Sequence, residues 1–244
     1  MPDGVHLPVQ LLGPEHASSL MLVVGHGLGG TDPARKSHHD DAVRMILPAL
    51  DAAACRAVFY TARGHGQSAG WQTLDDSQFS WSHLADDMLA VADAHGLPRF
   101  VACGNSMGAA TALTAALKEP ERVQGLLLYR LPMLWEARTT RRAELLAKAA
   151  ALPSVVHRAV LRGSAGTNLP PQNDPAWDRL RAAQIPTLIL CHGEDAVHPI
   201  ASGEAIRDVL PNSSLHVESD EARAAERFPD VVAAWLRGLR RDVE

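Results

Sequence analysis

The residues Gly104-Asn105-Ser106-Met107-Gly108 stand between an apolar run, Phe100–Cys103, and the alanine-rich segment Met107–Leu117. The run reads as a strand and the segment as a helix. A serine between two glycines at a strand-to-helix turn is the arrangement of a nucleophile elbow. The chemistry it suits is acyl transfer. A hydroxyl held on a tight, strained turn projects above the sheet toward a carbonyl carbon, and the glycines let backbones approach without an intervening Cβ. The plainer alternative is a glycine-rich turn with an incidental serine. The strand before it and the helix after it favour the elbow.

A second glycine-rich stretch, Gly25-His26-Gly27-Leu28-Gly29-Gly30, follows the apolar run Leu20–Val24. Backbone N–H groups at such a strand end can face a developing oxyanion, and Leu28 N–H with Met107 N–H form the natural donor pair. His26 is placed with this oxyanion and substrate wall, and it and His65 buttress the loops that shape it. No Lys-Ser/Thr follows the glycines, so they match neither a phosphate loop nor a dinucleotide fingerprint. Arg63-Gly64-His65-Gly66-Gln67-Ser68, after the strand-like Arg56–Thr61, is by itself a turn.

Positioning these groups requires alternating strands and helices. Strands are expected at Val5–Leu12, Leu20–Val24, Arg56–Thr61, Phe100–Cys103, Gly125–Tyr129, Thr187–Cys191 and Ser214–Val217. Helices are expected from near His39, through Trp81, Leu84, Met88 and Val91 with Ser80 as cap, over Met107–Leu117, near Ser202–Val209, and through Val231, Val232, Trp235 and Leu239. Such alternation predicts an α/β fold, a mostly parallel sheet with helices on both faces. From Pro132 to Ala183 no strand pattern occurs. Thr139–Ala151 is helical by composition and Gly163–Pro175 irregular, so residues 132–183 read as a small helical cap inserted into a core of residues 1–131 and 184–244.

Composition agrees with a globular enzyme-sized chain. It has 244 residues, 23 Lys+Arg against 28 Asp+Glu, and a net charge of −5, which gives no electrostatic reason to bind nucleic acid or an anionic membrane. No apolar run approaches the ~20 residues of a membrane span. Met1-Pro2-Asp3-Gly4 lacks the basic start of a signal peptide, and the unpaired thiols of Cys55, Cys103 and Cys191 predict neither a disulfide framework nor a zinc site. A cytoplasmic protein acting on a small molecule without a cofactor or metal is expected. Nothing in the sequence sets an oligomeric state.

Taken together and in order, H-G-x-x-G, R-G-x-G-x-S and G-x-S-x-G resemble the α/β-hydrolase superfamily, from about Ser18 to Leu239. The resemblance implies a Ser-His-acid triad, with a cap inserted after the strand Gly125–Tyr129. It assigns the acid to Asp195, four residues before Pro199 as in the family's D-x-x-x-P loop, rather than to neighbouring Glu194. It also implies a histidine after the last strand, and here the sequence departs: no histidine follows His216, which lies inside that strand. The remaining candidate base is His198, in Asp195-Ala196-Val197-His198-Pro199, a loop pattern that accompanies a histidine-free last loop in some relatives. The alternative is that His198 only packs beside the acid.

Arg130, ending the strand Gly125–Tyr129, is expected either to hold a substrate carboxylate beneath the cap or to pair with Glu136. Arg138, Arg141 and Arg142 read as a solvated helix face, and His38-His39-Asp40-Asp41 as a helix start rather than a metal site. The leading functional expectation is a serine hydrolase of small carboxylic esters, thioesters or lactones. The alternatives are a catalytically silent ligand-binding fold and a cofactor-free lyase or C–C hydrolase.

Overall fold

Strand runs with no polar alternation need cover on both faces, and the chain supplies it. The computed structural model describes residues 4–16, 20–28, 40–68, 70 and 75–241. Its strands are β1 (Val9–Leu12), β2 (Met21–Gly25), β3 (Arg56–Tyr60), β4 (Phe100–Asn105), β5 (Val123–Tyr129), β6 (Thr187–His192) and β7 (Ser213–Glu218). They form one sheet in the order β1-β3-β2-β4-β5-β6-β7. All neighbours are parallel except the edge pair β1–β3. This is the α/β-hydrolase fold expected from the sequence. Among the described residues, no helix is long and apolar enough to cross a membrane.

The period of two along the strands divides the core. Leu22, Val24, Val101, Cys103 and Leu127 face α1 (Asp40–Ala53) and α8 (Glu221–Arg241), packing on Met45, Ile46, Phe228 and Val232. Val23, Ala102, Leu126 and Leu128 face the other way, onto Trp81, Met88 and Leu113 of α2 (Trp81–Ala94) and α3 (Met107–Lys118). Ser80 caps α2, its Oγ accepting from His83 N–H. The guanidinium of Arg63, beyond β3, is fully buried and held bidentately by Asp87 of α2, at 2.7 and 2.5 Å. That pair ties the Arg63–Ser68 turn to the sheet's covering layer.

The opening strand is shorter than expected. Pro8 has no N–H to donate, and its carbonyl accepts from Thr61 just before the ladder begins at Val9. Cys55 lies just before β3, and Cys55, Cys103 and Cys191 are all buried thiols outside any disulfide.

Residues between β5 and β6 carry α4 (Trp135–Ala151), α5 (Val155–Gly166) and α6 (Pro175–Ala182), followed after β6 by α7 (Ile200–Val209). Two of these helices escape the composition. Gly163 suggests a break, yet it lies inside α5, where an added Cβ would stand 2.2 Å from Asp76 O; the glycine permits α5 to touch the 3-10 turn Asp76–Phe79. Local signals for both helices were present: Ser154 accepts from His157 N–H, and Asp174 accepts from Ala176 N–H ahead of Pro175 at the first turn. Leu145 and Ala149 of α4 pack on Leu161 and Ala165 of α5.

The tightest contact lies at the centre of the sheet. A Cβ on Gly108 would stand 2.1 Å from Gly25 O, and one on Gly104 would stand 2.1 Å from Gly108 C and O. We expect Gly108→Ala to destabilise the fold by ~2–4 kcal/mol, since backbone on both sides must move. Chemical denaturation against the wild type measures it.

Candidate active site

β4 is the middle strand of the sheet, buried along its whole length, and its carboxyl end turns directly into α3. Ser106 occupies that turn with φ 55° and ψ −113°, a left-handed conformation that costs a non-glycine residue free energy. The turn is held by Ser106 N–H donating to Tyr129 O on β5 and by the glycine contacts beneath it. The hydroxyl is thereby directed away from the strand ladder and the helix.

His198 Nε2 lies 2.7 Å from Ser106 Oγ. Its Nδ1 lies 2.8 Å from Asp195 Oδ2. Nδ1–H donates to the carboxylate, so Nε2 is the acceptor for the serine O–H. Acid and base only three residues apart can do this because the loop folds back on itself. Asp195 Oδ1 accepts from the N–H groups of both Val197 and His198, and Glu194 before it adopts φ 59°. One carboxylate oxygen thus builds the turn while the other orients the imidazole.

Electrostatics suits the arrangement. Burial by itself raises the Asp195 carboxyl, but the hydrogen bond and charge of His198 and the charge of Arg130 outweigh it and hold the group at about 2. His198 moves down from its ordinary value because burial disfavours the imidazolium more than Asp195 favours it, with Arg130 and His192 adding to the fall. At neutral pH this is an ionised acid beside a neutral base.

Arg130 is not where the sequence suggested. It leaves β5 with φ 53° and sets Nε and Nη2 at 2.9 and 2.8 Å from Asp195 Oδ2, with Nη1 3.8 Å from Glu221. Its guanidinium thus contacts the acid, and among the described residues no ion pair with Glu136 is formed. His26 also sits behind the site. Its Nδ1–H donates to Gly27 O, its Nε2 accepts from Ala62 N–H, and its ring packs edge-on against His65. It supports the loop and is not part of the cavity wall. His192 is buried, with Nδ1 on Gly193 O and Nε2 3.8 Å from Asp195.

Where the resemblance would put a histidine, the chain starts a helix. Asp220 accepts from Arg223 N–H at the head of α8. His216 is exposed on the edge strand β7. Gly29, Gly30, His38 and His39 lie outside the described residues.

Ser106 and His198 open onto a cavity of about 40 Å³. Leu28 and Met107 line it on the core side, and a side chain at Gly27 would come within 3.3 Å of Ser106 Cβ. Met107 is the first residue of α3, so its N–H has no acceptor within the helix. The opposite wall is α4, with Arg138, Arg141 and Leu145. Sequence reasoning missed the two arginines. Their signal was the stripe Arg138, Arg141, Leu145 and Ala149 at helical spacing, which puts them on the face that buries Leu145 and Ala149.

Comparison with known proteins agrees with this architecture. Residues 21–138 match the family model described as the alpha/beta hydrolase fold. Proline iminopeptidase from Mycobacterium smegmatis superposes with TM-score 0.71 at 17% identity, over 99% of this chain and 97% of that one. The enol-lactonase from Burkholderia xenovorans LB400 gives 0.67 at 19%, over 96% and 97%. A thermophilic esterase from Thermogutta terrifontis gives 0.69 at 20%, over 97% and 94%. No curated protein sequence matches the chain. The chain has the α/β-hydrolase fold.

The site's electrostatics make a direct prediction. The His198 imidazole should titrate below its ordinary 6.5 in an NMR pH titration. Asp195→Asn should lower it further, because the carboxylate is the group that raises it.

Proposed function

We propose that the protein is a serine hydrolase acting on small carboxylic esters, thioesters or lactones without a cofactor. The observation that carries this reading is the unbroken series of contacts Ser106 Oγ–His198 Nε2 and His198 Nδ1–Asp195 Oδ2. In it, residues 132–183 form the cap of a core made by residues 1–131 and 184–244. The hydrolases, esterase and lactonase among its structural neighbours are consistent with such chemistry.

As Ser106 Oγ attacks the substrate carbonyl carbon, His198 Nε2 takes the hydroxyl proton, and the carbonyl electron pair moves onto oxygen. The N–H groups of Leu28 and Met107 hold that oxyanion. On collapse the carbonyl re-forms, the bond to the leaving oxygen or sulfur breaks, and His198 returns its proton to the leaving group. Water then attacks the acyl-serine, giving its proton to His198. The second collapse frees the carboxylic acid and restores the Ser106 hydroxyl. Asp195 stabilises the imidazolium in each half, and Arg130 keeps Asp195 ionised and in place.

The histidine-free last loop favours the alternative of a non-catalytic binding scaffold; the contact between His198 and Ser106 supports the hydrolase reading instead.

Ser106→Ala should abolish hydrolysis of small activated esters and labelling by a fluorophosphonate, with the melting temperature nearly unchanged. His198→Ala should slow acylation by a factor on the order of 10²–10⁴, and His216→Ala should leave it near wild type. A wild type no faster than Ser106→Ala would overturn the reading.

In the wild type, kcat/KM should decline on acidification as His198 takes a proton, with its midpoint below the 6.5 of an ordinary imidazole. Asp195, held at about 2, stays ionised across that range.

A further inference from the structure

Arg138 is the unusual group in the cavity wall. Its side chain is buried at 6% exposure, yet among the described residues it has no carboxylate partner. Its Nη2 donates to Ser164 O and Oγ, at 2.6 and 2.9 Å, and Nε donates to Thr167 O at 3.4 Å. Nη1 makes no hydrogen bond among the described residues. The guanidinium carbon lies 4.6 Å over the ring of Trp81. By contrast, Arg63, which is also deeply buried, has a counter-charge: its Nε and Nη2 both donate to the Asp87 carboxylate.

Arg141 lies one turn along α4 on the same cavity wall, three-quarters or more buried, and among the described residues pairs only with the exposed Glu144. Trp81 lines the cavity too. Its indole Nε1–H is buried and has no hydrogen-bond partner among the described residues. None of the lining residues is acidic. The wall facing Ser106 thus holds two guanidiniums, one with an open fork arm, and an unmet indole donor. Burial and the neighbouring Arg141 charge bring Arg138 down only to about 10, so it stays cationic at neutral pH.

We infer that Arg138 and Arg141, with Trp81 Nε1–H, form an anion subsite that receives a carboxylate carried by the substrate itself. The preferred substrates are then half-esters, or lactones and thioesters bearing a second, free carboxylate. This deepens the hydrolase reading and rests on it for the reaction, though not for the binding. The physical reason is that a buried cation without a counter-charge loses hydration it cannot recover from carbonyls alone. A carboxylate supplies both the charge and the planar acceptor that a guanidinium fork matches. The subsite and Ser106 share one cavity of about 40 Å³, so the carboxylate and the scissile carbonyl should be separated by a short chain.

The test uses the full chain carrying Ser106→Ala, titrated calorimetrically with monomethyl succinate and with dimethyl succinate, which differ only in the free carboxylate. The half-ester should bind about ten- to a hundredfold more tightly. Arg141→Gln should bring the two ligands close to parity. Arg138→Gln should do the same, and Arg138→Lys should keep part of the preference. Arg138 also holds the end of α5, so Arg141→Gln, whose partner is exposed, decides the matter if Arg138→Gln does not fold. Arg142→Gln, an exposed residue of the same helix, should leave the preference intact.

Equal binding of the two ligands, no binding of the half-ester, or a preference that survives Arg141→Gln overturns the inference. Initial rates of the wild type on the same pair separate it from the hydrolase reading. Selective binding with no turnover of either ester leaves the anion subsite and removes the hydrolase. Equal binding with turnover of both leaves the hydrolase and removes the subsite.

Discussion

At the middle of the sheet, three backbones meet with no room for a side chain. Gly104 at the end of β4, Gly108 in the first turn of α3 and Gly25 at the end of β2 approach so closely that a Cβ on Gly108 would overlap Gly25 O and one on Gly104 would overlap Gly108 C and O. This contact sets the angle at which α3 leaves the sheet, and with it the left-handed backbone of Ser106. Such strain of ~1–3 kcal/mol persists only where the surroundings over-determine it. Here they do, through a fully buried strand, a parallel neighbour accepting the Ser106 N–H, and alanines that let α3 lie flat on the sheet.

The same economy of space explains the loop after β6. An acid and an imidazole on separate loops would each need their own support. On Asp195–His198 the carboxylate folds the loop with one oxygen and orients the ring with the other. The segment beyond β7 is then free to begin α8 under its own aspartate cap. Arg130, reaching across from the next strand, completes the charge balance around Asp195. The buried imidazole between them is pushed toward its neutral form.

Two buried arginines show how context decides the use of one residue type. Arg63 meets a carboxylate in a dry layer and acts as a rivet between a turn and α2. Among the described residues Arg138 meets only carbonyls, a hydroxyl and an aromatic face, on a wall that opens to Ser106. The first has its counter-charge beside it. The second has no carboxylate partner among the described residues.

Much of this could be read along the chain because it is local. The turn at Ser106 depends on five consecutive residues and the strand and helix beside them, and the strand-helix alternation depends on hydrophobic runs within each element. Those patterns were enough to anticipate a mostly parallel α/β sheet and the turn at Ser106, while the hydrolase fold and the candidates Asp195 and His198 came from the resemblance of three ordered motifs to a known family. Tertiary structure decided everything that depends on residues distant in sequence. It set the 92-residue reach from Ser106 to His198, moved Arg130 onto the acid and His26 behind the wall, and turned Arg138 inward from a helix that composition read as solvated. A long polar side chain gives no local sign of its partner. Its role is set by which surface its helix face lands on, and that depends on the packing of the whole fold.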